Sequence, residues 1–454
     1  MSLYSIILAA GEGKRMKSSI AKPLQQAAGK ALVEWVADTA KEAGSDENIV
    51  VIGHKAEDIK AYLGGSVKYA YQLQQLGTGH AVMQGMEQLG GAQGTVMVLY
   101  GDSPLIEAET LKKVKAEHDE NGRAATVITA HVDDPYGYGR IVREDGKIAR
   151  IVEQKDATDA EKQINEVNSG MYFFDIEKLR SALGRLNNDN AQGEYYITDV
   201  IEIMLSDGES VGAFVTDFEQ ILGVNDKLQL AQVGKILNRR KVEELMLGGV
   251  TVIDPDKIHV TTNVKVGRDT VLYPGTILEG DTVIGENCVI GSDTSLNNCK
   301  VGDNTHILKS VAIDSEIGAN TNVGPFAYIR PGSKVGSSVK IGDFVEIKNS
   351  TIDDDTKVAH LTYIGDADVG KRVNFGCGTV VVNYDGEHKH RTTIEDDCFI
   401  GCNTNLVSPV VVRHGAYTAA GSTITDEVPA ESLAIARSKQ VVKEQWTINR
   451  KKDK

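Results

Sequence analysis

The chain is short of cysteine, of long apolar runs and of positive charge, and each shortage excludes something. Its 454 residues include five cysteines, Cys288, Cys299, Cys377, Cys398 and Cys402, all in the C-terminal half. That odd count and irregular spacing supply neither a disulfide framework nor a zinc site. No uninterrupted apolar run reaches the length of a membrane span. The opening MSLYSIILAAGEGKRM lacks the basic, apolar, small-residue order of a signal peptide, so a cytoplasmic protein is expected. Lysine and arginine number 49 against 64 acidic residues, a net charge of −15. This balance argues against nucleic acid or an anionic membrane as a partner. A small anionic substrate stays open, because it needs only a local cluster of donors.

What the chain has in quantity is a repeat. Small aliphatic residues fall every six positions at Val260, Val266, Leu272, Leu278, Ile284, Ile290 and Leu296. The register slips and resumes at Ile317, Val323, Ile329, Val335, Ile341 and Ile347, and closes with Ile394, Ile400, Leu406, Val412, Thr418 and Ile424. Glycine often follows the marker, as at Gly267, Gly285, Gly318 and Gly342. Neither a helix nor a simple strand has a period of six. A hexapeptide β-helix does, with three flat faces per coil and the aliphatic residue pointing inward. The span predicts about nine coils, a prism of roughly 43 Å at about 4.8 Å per step. Between Val381 and Ile394 a polar insert, residues 383–391, must leave the coil. His388 and His390 within it are either metal ligands or part of a solvated loop.

The N-terminal half alternates short apolar runs (residues 4–10, 48–53, 95–100 and 124–130) with amphipathic segments such as 32–43 and 107–118. That alternation predicts a doubly wound α/β domain with a mostly parallel sheet, whose ligands gather beyond the carboxyl ends of the strands. The first strand runs into Leu8-Ala9-Ala10-Gly11-Glu12-Gly13-Lys14-Arg15, with Lys22 close behind. Glycines admit a phosphate to the backbone, a following helix N-terminus attracts it, and Arg15 and Lys22 add charge. A tight turn alone explains Gly11 and Gly13 but not the flanking cations. Neither a dinucleotide fingerprint nor a Walker loop fits the spacing. A later strand ends in Tyr100-Gly101-Asp102, where an aspartate either holds Mg²⁺ or caps the next helix.

These motifs resemble those of the sugar-1-phosphate nucleotidyltransferases. The likeness continues through Gln72, Leu76-Gly77-Thr78-Gly79-His80, Gly137-Tyr138-Gly139-Arg140, Glu153-Gln154-Lys155, Asn168-Ser169-Gly170 and Gly223-Val224-Asn225. With the hexapeptide half behind it, the whole chain up to Arg437 is similar to the bifunctional N-acetylglucosamine-1-phosphate uridyltransferase/glucosamine-1-phosphate acetyltransferases. The resemblance implies a Rossmann-like uridyltransferase domain over residues 1–226, a linker helix over 227–247, and a left-handed β-helix acetyltransferase domain with a C-terminal tail over 248–454. It implies that Leu8, Ala9, Ala10, Gly11, Gln72, Gly77 and Thr78 bind the uridine nucleotide. Tyr100, Gly101, Gly139, Glu153 and Asn168 would surround the sugar. Asp102 and Asn225 would hold Mg²⁺, and Arg15 and Lys22 would neutralise the phosphates during catalysis.

In the second half the resemblance implies an acetyl-transfer site. His360 would be the general base, since a sugar amine must lose a proton before it attacks a thioester. Glu346 would orient His360 or the amine. Arg330, Lys348, Tyr363 and Asn374 would hold the sugar phosphate, the 18-residue step from Arg330 to Lys348 stacking them and the 14-residue steps from Glu346 to His360 to Asn374 adding the rest. Cys377, Asn383, Tyr384, Cys402, Ala420 and Arg437 would face acetyl-CoA, with Cys377 and Cys402 standing where alanine and serine are expected. The likeness also implies a homotrimer with sites shared between chains, and a basic tail over residues 438–454. One rival is a single-activity sugar nucleotidyltransferase with a passive β-helix, which leaves the His360 group without a purpose. A trimeric binding scaffold leaves Arg15, Lys22, Asp102 and Asn225 unexplained.

Overall fold

The computed structural model describes residues 2–452. The chain falls into two compact units, Met1–Leu237 and Asn238–Lys454. The division lies inside one helix, Lys227–Leu247. Val233 and Leu237 of that helix pack with Met16, Leu32 and Leu105 of the first unit, whereas Val242 and Leu245 join the core of the second. No helix among the described residues is long and apolar enough to cross a membrane.

The first unit is built on a nine-stranded mixed sheet. Its strands are β1 (Leu3–Leu8), β2 (Glu47–Ile52), β3 (Lys68–Tyr71), β4 (Thr95–Tyr100), β5 (Ala125–His131), β6 (Gly139–Glu144), β7 (Lys147–Val152), β8 (Glu166–Asp175) and β9 (Val211–Val215). The main order is β9-β5-β8-β4-β1-β2-β3. It is parallel except for β8, which runs antiparallel between β4 and β5 and carries the β6–β7 hairpin. Successive residues of a strand face opposite sides. Ile7 therefore meets the helices Leu32–Glu42 and Ala108–Glu120, and Ile6 meets Thr78–Leu89 on the other face. Leu8 and Tyr100 are register partners, so Ala9 to Gly11 and Gly101 to Asp102 leave the sheet side by side.

The second unit stacks its strands into three parallel sheets of 11, 10 and 9 strands, successive strands falling on the three sheets in turn except at the last coil. Ten steps along the longest sheet span about 48 Å at about 4.8 Å each. The apparent slips of the repeat are shorter corners rather than breaks. Val301, Ile307, Ala312, Ile352, Val358, Ile364, Val369 and Phe375 continue the buried interior column between the markers read from the sequence. Corners are tight enough to need glycine: a Cβ on Gly318 would lie 2.5 Å from the backbone of Gly336 one coil on. Beyond the last coil, residues 438–445 carry no regular structure and a short helix, Trp446–Lys452, follows. Asp453 and Lys454, the end of the expected tail, lie outside the described residues.

Because every coil borrows its packing from its neighbours, one buried deletion is expected to weaken the whole prism. Ile347 is fully buried. Chemical denaturation followed by circular dichroism should show Ile347→Ala losing about 2–5 kcal/mol. The exposed Lys334→Ala should stay within about 0.5 kcal/mol. Equal, small effects would contradict a core shared between coils.

Candidate active sites

The first site opens at the carboxyl ends of β1 and β4. A cavity of about 280 Å³ is lined by Leu8, Ala9, Ala10, Gly11, Lys22, Gln72, Gly77, Thr78, Tyr100 and Asp102, all anticipated, and by Pro23, Gln75, Ala81 and Glu194, which were not. Nothing lies within 4 Å of a Cβ placed on Gly11, so the backbone there is open to a ligand. Gly13 has φ 62°, and a Cβ on it would meet the Cβ of Lys22 at 2.6 Å. Its bareness lets the Lys22 stem cross the loop. The expected helix after this loop is only a three-residue 3₁₀ turn, Lys14–Met16. The helix that does begin at the cavity is Thr78–Leu89, whose preceding Gly77 has φ 109°. Gln72 fixes that start by donating to the Gly77 carbonyl at 3.0 Å.

Positive charge converges on one edge of the cavity. Lys22 Nζ pairs with the Asp102 carboxylate and donates to Asn225 Oδ1 at 2.9 Å, and Arg15 Nη2 donates to the same oxygen at 2.9 Å. Asp102 caps no helix. Its side chain faces Lys22 and accepts from the Ser103 hydroxyl at 3.4 Å, while its carbonyl accepts from Val224 N–H at 2.9 Å, which brings Asn225 alongside. Two oxygen donors around an ammonium form a place where a hard cation fits, though no group of three or more acidic, histidine or cysteine ligands occurs among the described residues.

The residues expected around the sugar meet on the far side of Tyr100. Gly139 is the register partner of Asn168. A Cβ on Gly139 would lie 3.6 Å from Glu153 Oε1, and one on Gly170 would strike the Tyr100 ring at 2.6 Å. Burial pushes the Tyr100 hydroxyl above its ordinary range, with the charges of Glu153 and Asp102 adding to it. Burial likewise raises the Glu153 carboxyl, helped by Asp156 and Asp199. Asn168 is already engaged, donating to the Tyr172 hydroxyl at 2.7 Å and accepting from Gly170 N–H at 3.0 Å.

The second site occupies one corner and one face of the β-helix. Val358, Phe375, Ile400 and Thr418 are register partners on successive coils. Each is followed two positions later by His360, Cys377, Cys402 and Ala420, which therefore form one column along the corner. Asp343 continues that column below His360. Arg437 lies at its other end, its Cδ 3.8 Å from a Cβ placed on Gly421. Asn374 sits three residues before Cys377, on the adjoining face.

On the face beyond the corner, Glu346 lies over Tyr363, and Lys348 stands in register with Gly365. Arg330 Nη1 donates to Glu346 Oε1 at 2.7 Å. The 14-residue offsets therefore do not stack Glu346, His360 and Asn374. The carboxylate on His360 belongs to Asp343, Nδ1 to Oδ1 at 2.9 Å, and Glu346 serves Arg330 instead. Tyr363 lies flat over Gly365, where a Cβ would come within 2.4 Å of its hydroxyl and 2.8 Å of Asn383 Nδ2.

The polar insert is a folded loop. Tyr384 bridges to Lys389, Asp385 accepts from the N–H groups of Glu387 and His388, and Asp385 also meets His390 Nε2 at 2.6 Å. Arg391 ties its end to Asp368. The loop returns Lys389 to Lys348. That ammonium, with burial and Arg330 adding and Asp366 opposing, pushes Lys348 below the usual lysine range. Three cations meet two carboxylates, Glu346 and Asp366, at one spot, and the surplus of positive charge favours a bound anion. Lys389 and Asp343 were missed in the sequence. Asp343 precedes His360 by 17 residues rather than 18, one of the shortened corners.

Of the cysteines, Cys288, Cys299 and Cys398 are buried, and burial raises their thiols; Cys377 is partly exposed and Cys402 exposed. Iodoacetamide on the native protein, mapped by mass spectrometry, should label Cys402 and Cys377 and leave the other three for the denatured chain. Early labelling of a buried cysteine would contradict the packing.

Residues 4–224 match the family model of nucleotidyl transferases, and residues 263–298 and 314–349 match that of the bacterial transferase hexapeptide. Over its full length the chain is similar to proteins named "Bifunctional protein GlmU". Identity is 54% to that of Acetivibrio thermocellus, covering 99% of this chain and 98% of the relative. It is 52% to that of Caldanaerobacter subterraneus subsp. tengcongensis, at 99% and 98% coverage. It is 51% to that of Halalkalibacterium halodurans, at 98% of both chains.

Proposed function

The chain belongs to the family of bifunctional GlmU proteins, and from that premise we propose how its residues divide the work. It is a bifunctional transferase of UDP-N-acetylglucosamine synthesis, a precursor route for cell-wall polymers. The β-helix half transfers acetyl from acetyl-CoA to glucosamine-1-phosphate. The N-terminal half then transfers uridylyl from UTP to N-acetylglucosamine-1-phosphate and releases pyrophosphate.

In the first half a phosphate oxygen of the sugar attacks the α-phosphorus of UTP. The reaction asks for alignment and charge neutralisation rather than a covalent partner. Leu8 to Gly11, Gln72, Gly77 and Thr78 hold the nucleotide. Tyr100, Gly101, Gly139, Glu153 and Asn168 position the sugar, Asn168 by keeping the bend at Gly170 rather than through a free amide. Arg15 and Lys22 face the phosphates. The chemistry requires a divalent cation, and the paired oxygens of Asp102 and Asn225 suit Mg²⁺, which takes few protein ligands and shares the rest with phosphate and water. Bound there, it would neutralise charge on the phosphate oxygens. Lys22 would then be released from Asp102 toward the substrate.

In the second half Arg330, Lys348 and Lys389 hold the sugar phosphate, with Tyr363 and Asn374 on the sugar. His360 takes the proton of the amine. The coenzyme runs along the corner column past Cys377, Cys402 and Ala420 toward Arg437, with Asn383 and Tyr384 beside it. The observation that carries this reading is the cluster of three cations on the face adjoining the column headed by His360. A passive prism has no use for it.

Phe326 and Phe344 are stacked at 5.3 Å and exposed, and Leu361, which directly follows His360, is exposed as well. An apolar ridge beside a site supports packing against a second copy. We therefore place the acetyl-transfer site at the interface of a homotrimer. The use of UTP and acetyl-CoA supports a cytoplasmic location.

Separate assays test the division. His360→Ala should reduce acetyl transfer by at least about a hundredfold and leave uridylyl transfer near normal. Asp102→Ala should do the reverse. Loss of both activities in either variant, or of neither, would contradict it.

A further inference from the structure

We propose that Asp343 is the positioning residue of the acetyl-transfer site, holding the His360 imidazole in the tautomer that presents Nε2 as the basic nitrogen. The proposal rests on the reading of His360 as the base.

Three observations carry it. The first is the register. Asp343 and His360 are direct partners on adjacent coils, and Leu361 N–H donates to the Asp343 carbonyl at 3.0 Å. The backbone is clamped further at Gly342, where a Cβ would fall 1.8 Å from the Ala359 carbonyl oxygen. On the other side the Thr362 hydroxyl donates to the His360 carbonyl at 2.7 Å. The two side chains therefore leave neighbouring strands from fixed points.

The second is the contact itself, Nδ1 to Oδ1 at 2.9 Å. His360 holds the Asp343 carboxyl below the usual carboxylate range, so Asp343 is ionised and can only accept a hydrogen bond. The proton must then sit on Nδ1. In the neutral ring this leaves the lone pair on Nε2.

The third is that Glu346, a second carboxylate of this site, is already engaged by Arg330 at 2.7 Å.

The chemistry follows from the tautomer. As the amine nitrogen bonds to the thioester carbonyl carbon, the proton it loses passes to Nε2. The carbon–sulfur bond breaks, and that proton leaves with the coenzyme thiolate, so amine plus thioester give amide plus thiol. An imidazole free to rotate or to carry its proton on Nε2 spends part of its time unable to accept.

His360 and Asp343 are both well exposed, and the prism carries other surface pairs of this kind, such as His390 with Asp385. A contact of that sort is by itself worth little to stability, so the test must read catalysis and the ring directly. Asp343→Ala, Asp343→Asn and His360→Ala are compared in the full chain, with uridylyl transfer as the control for folding. Asp343→Ala should lower kcat of acetyl transfer about tenfold. KM for both substrates should be unchanged. Asp343→Asn can turn its amide NH2 toward Nδ1 and favour the wrong tautomer, so it should recover none of the loss. Nitrogen NMR of the labelled imidazole should show the proton on Nδ1 in the parent protein, and at least partly on Nε2 in the Ala and Asn proteins. An Ala or Asn variant with parental kcat and tautomer overturns the proposal while a dead His360→Ala leaves the base reading standing. A fully active His360→Ala overturns both.

Discussion

The constraint on which the second half depends is the register of one coil upon the next. Each coil contributes an aliphatic residue to a shared interior column, and the corners come so close that glycine is needed at several. Once the column is set, residues two positions beyond each marker are forced into line. Asp343, His360, Cys377, Cys402 and Ala420, spread over nearly eighty residues of sequence, become a single edge. A similar dependence holds in the first half. There Leu8 and Tyr100 end side by side because their strands pair in parallel, and the loops beyond them bring Gly11, Lys22 and Asp102 to one cavity.

The two sites use charge differently. In the first, Lys22 is paired with the Asp102 carboxylate, and both Lys22 and Arg15 donate to the neutral amide oxygen of Asn225, so arriving phosphates replace internal partners. In the second, Lys348, Lys389 and Arg330 outnumber the two carboxylates beside them, Glu346 on Arg330 and Asp366 near Lys348, and the surplus positive charge suits a sugar phosphate. Both tactics occur in a chain of net charge −15. Overall charge thus says little about what a local cluster can bind.

Much of this was legible in the sequence. The spacing of six gave the β-helix, and LAAGEGKR with YGD marked the first cavity, ten of whose lining residues were anticipated. What stayed hidden depended on one-residue changes in corner length and on chain reversal. The slips near Leu296 and Ile347 are five-residue steps; the second puts Asp343 only 17 residues before His360, so a rule of 18-residue stacking does not pair them. Lys389 was hidden because the return of an inserted loop is a tertiary event with no periodicity. The helix expected after Gly13 was missing because a chain with φ 62° at that glycine turns instead into a short 3₁₀ segment.

The central claim is that one chain carries two successive transfers in separate halves. It is tested most directly with purified protein, Mg²⁺, UTP, acetyl-CoA and glucosamine-1-phosphate in one vessel, following free thiol and pyrophosphate together. The account predicts release of both, with pyrophosphate lagging thiol because the acetylated sugar must form first. Pyrophosphate only on addition of N-acetylglucosamine-1-phosphate, with no thiol at any time, would contradict it.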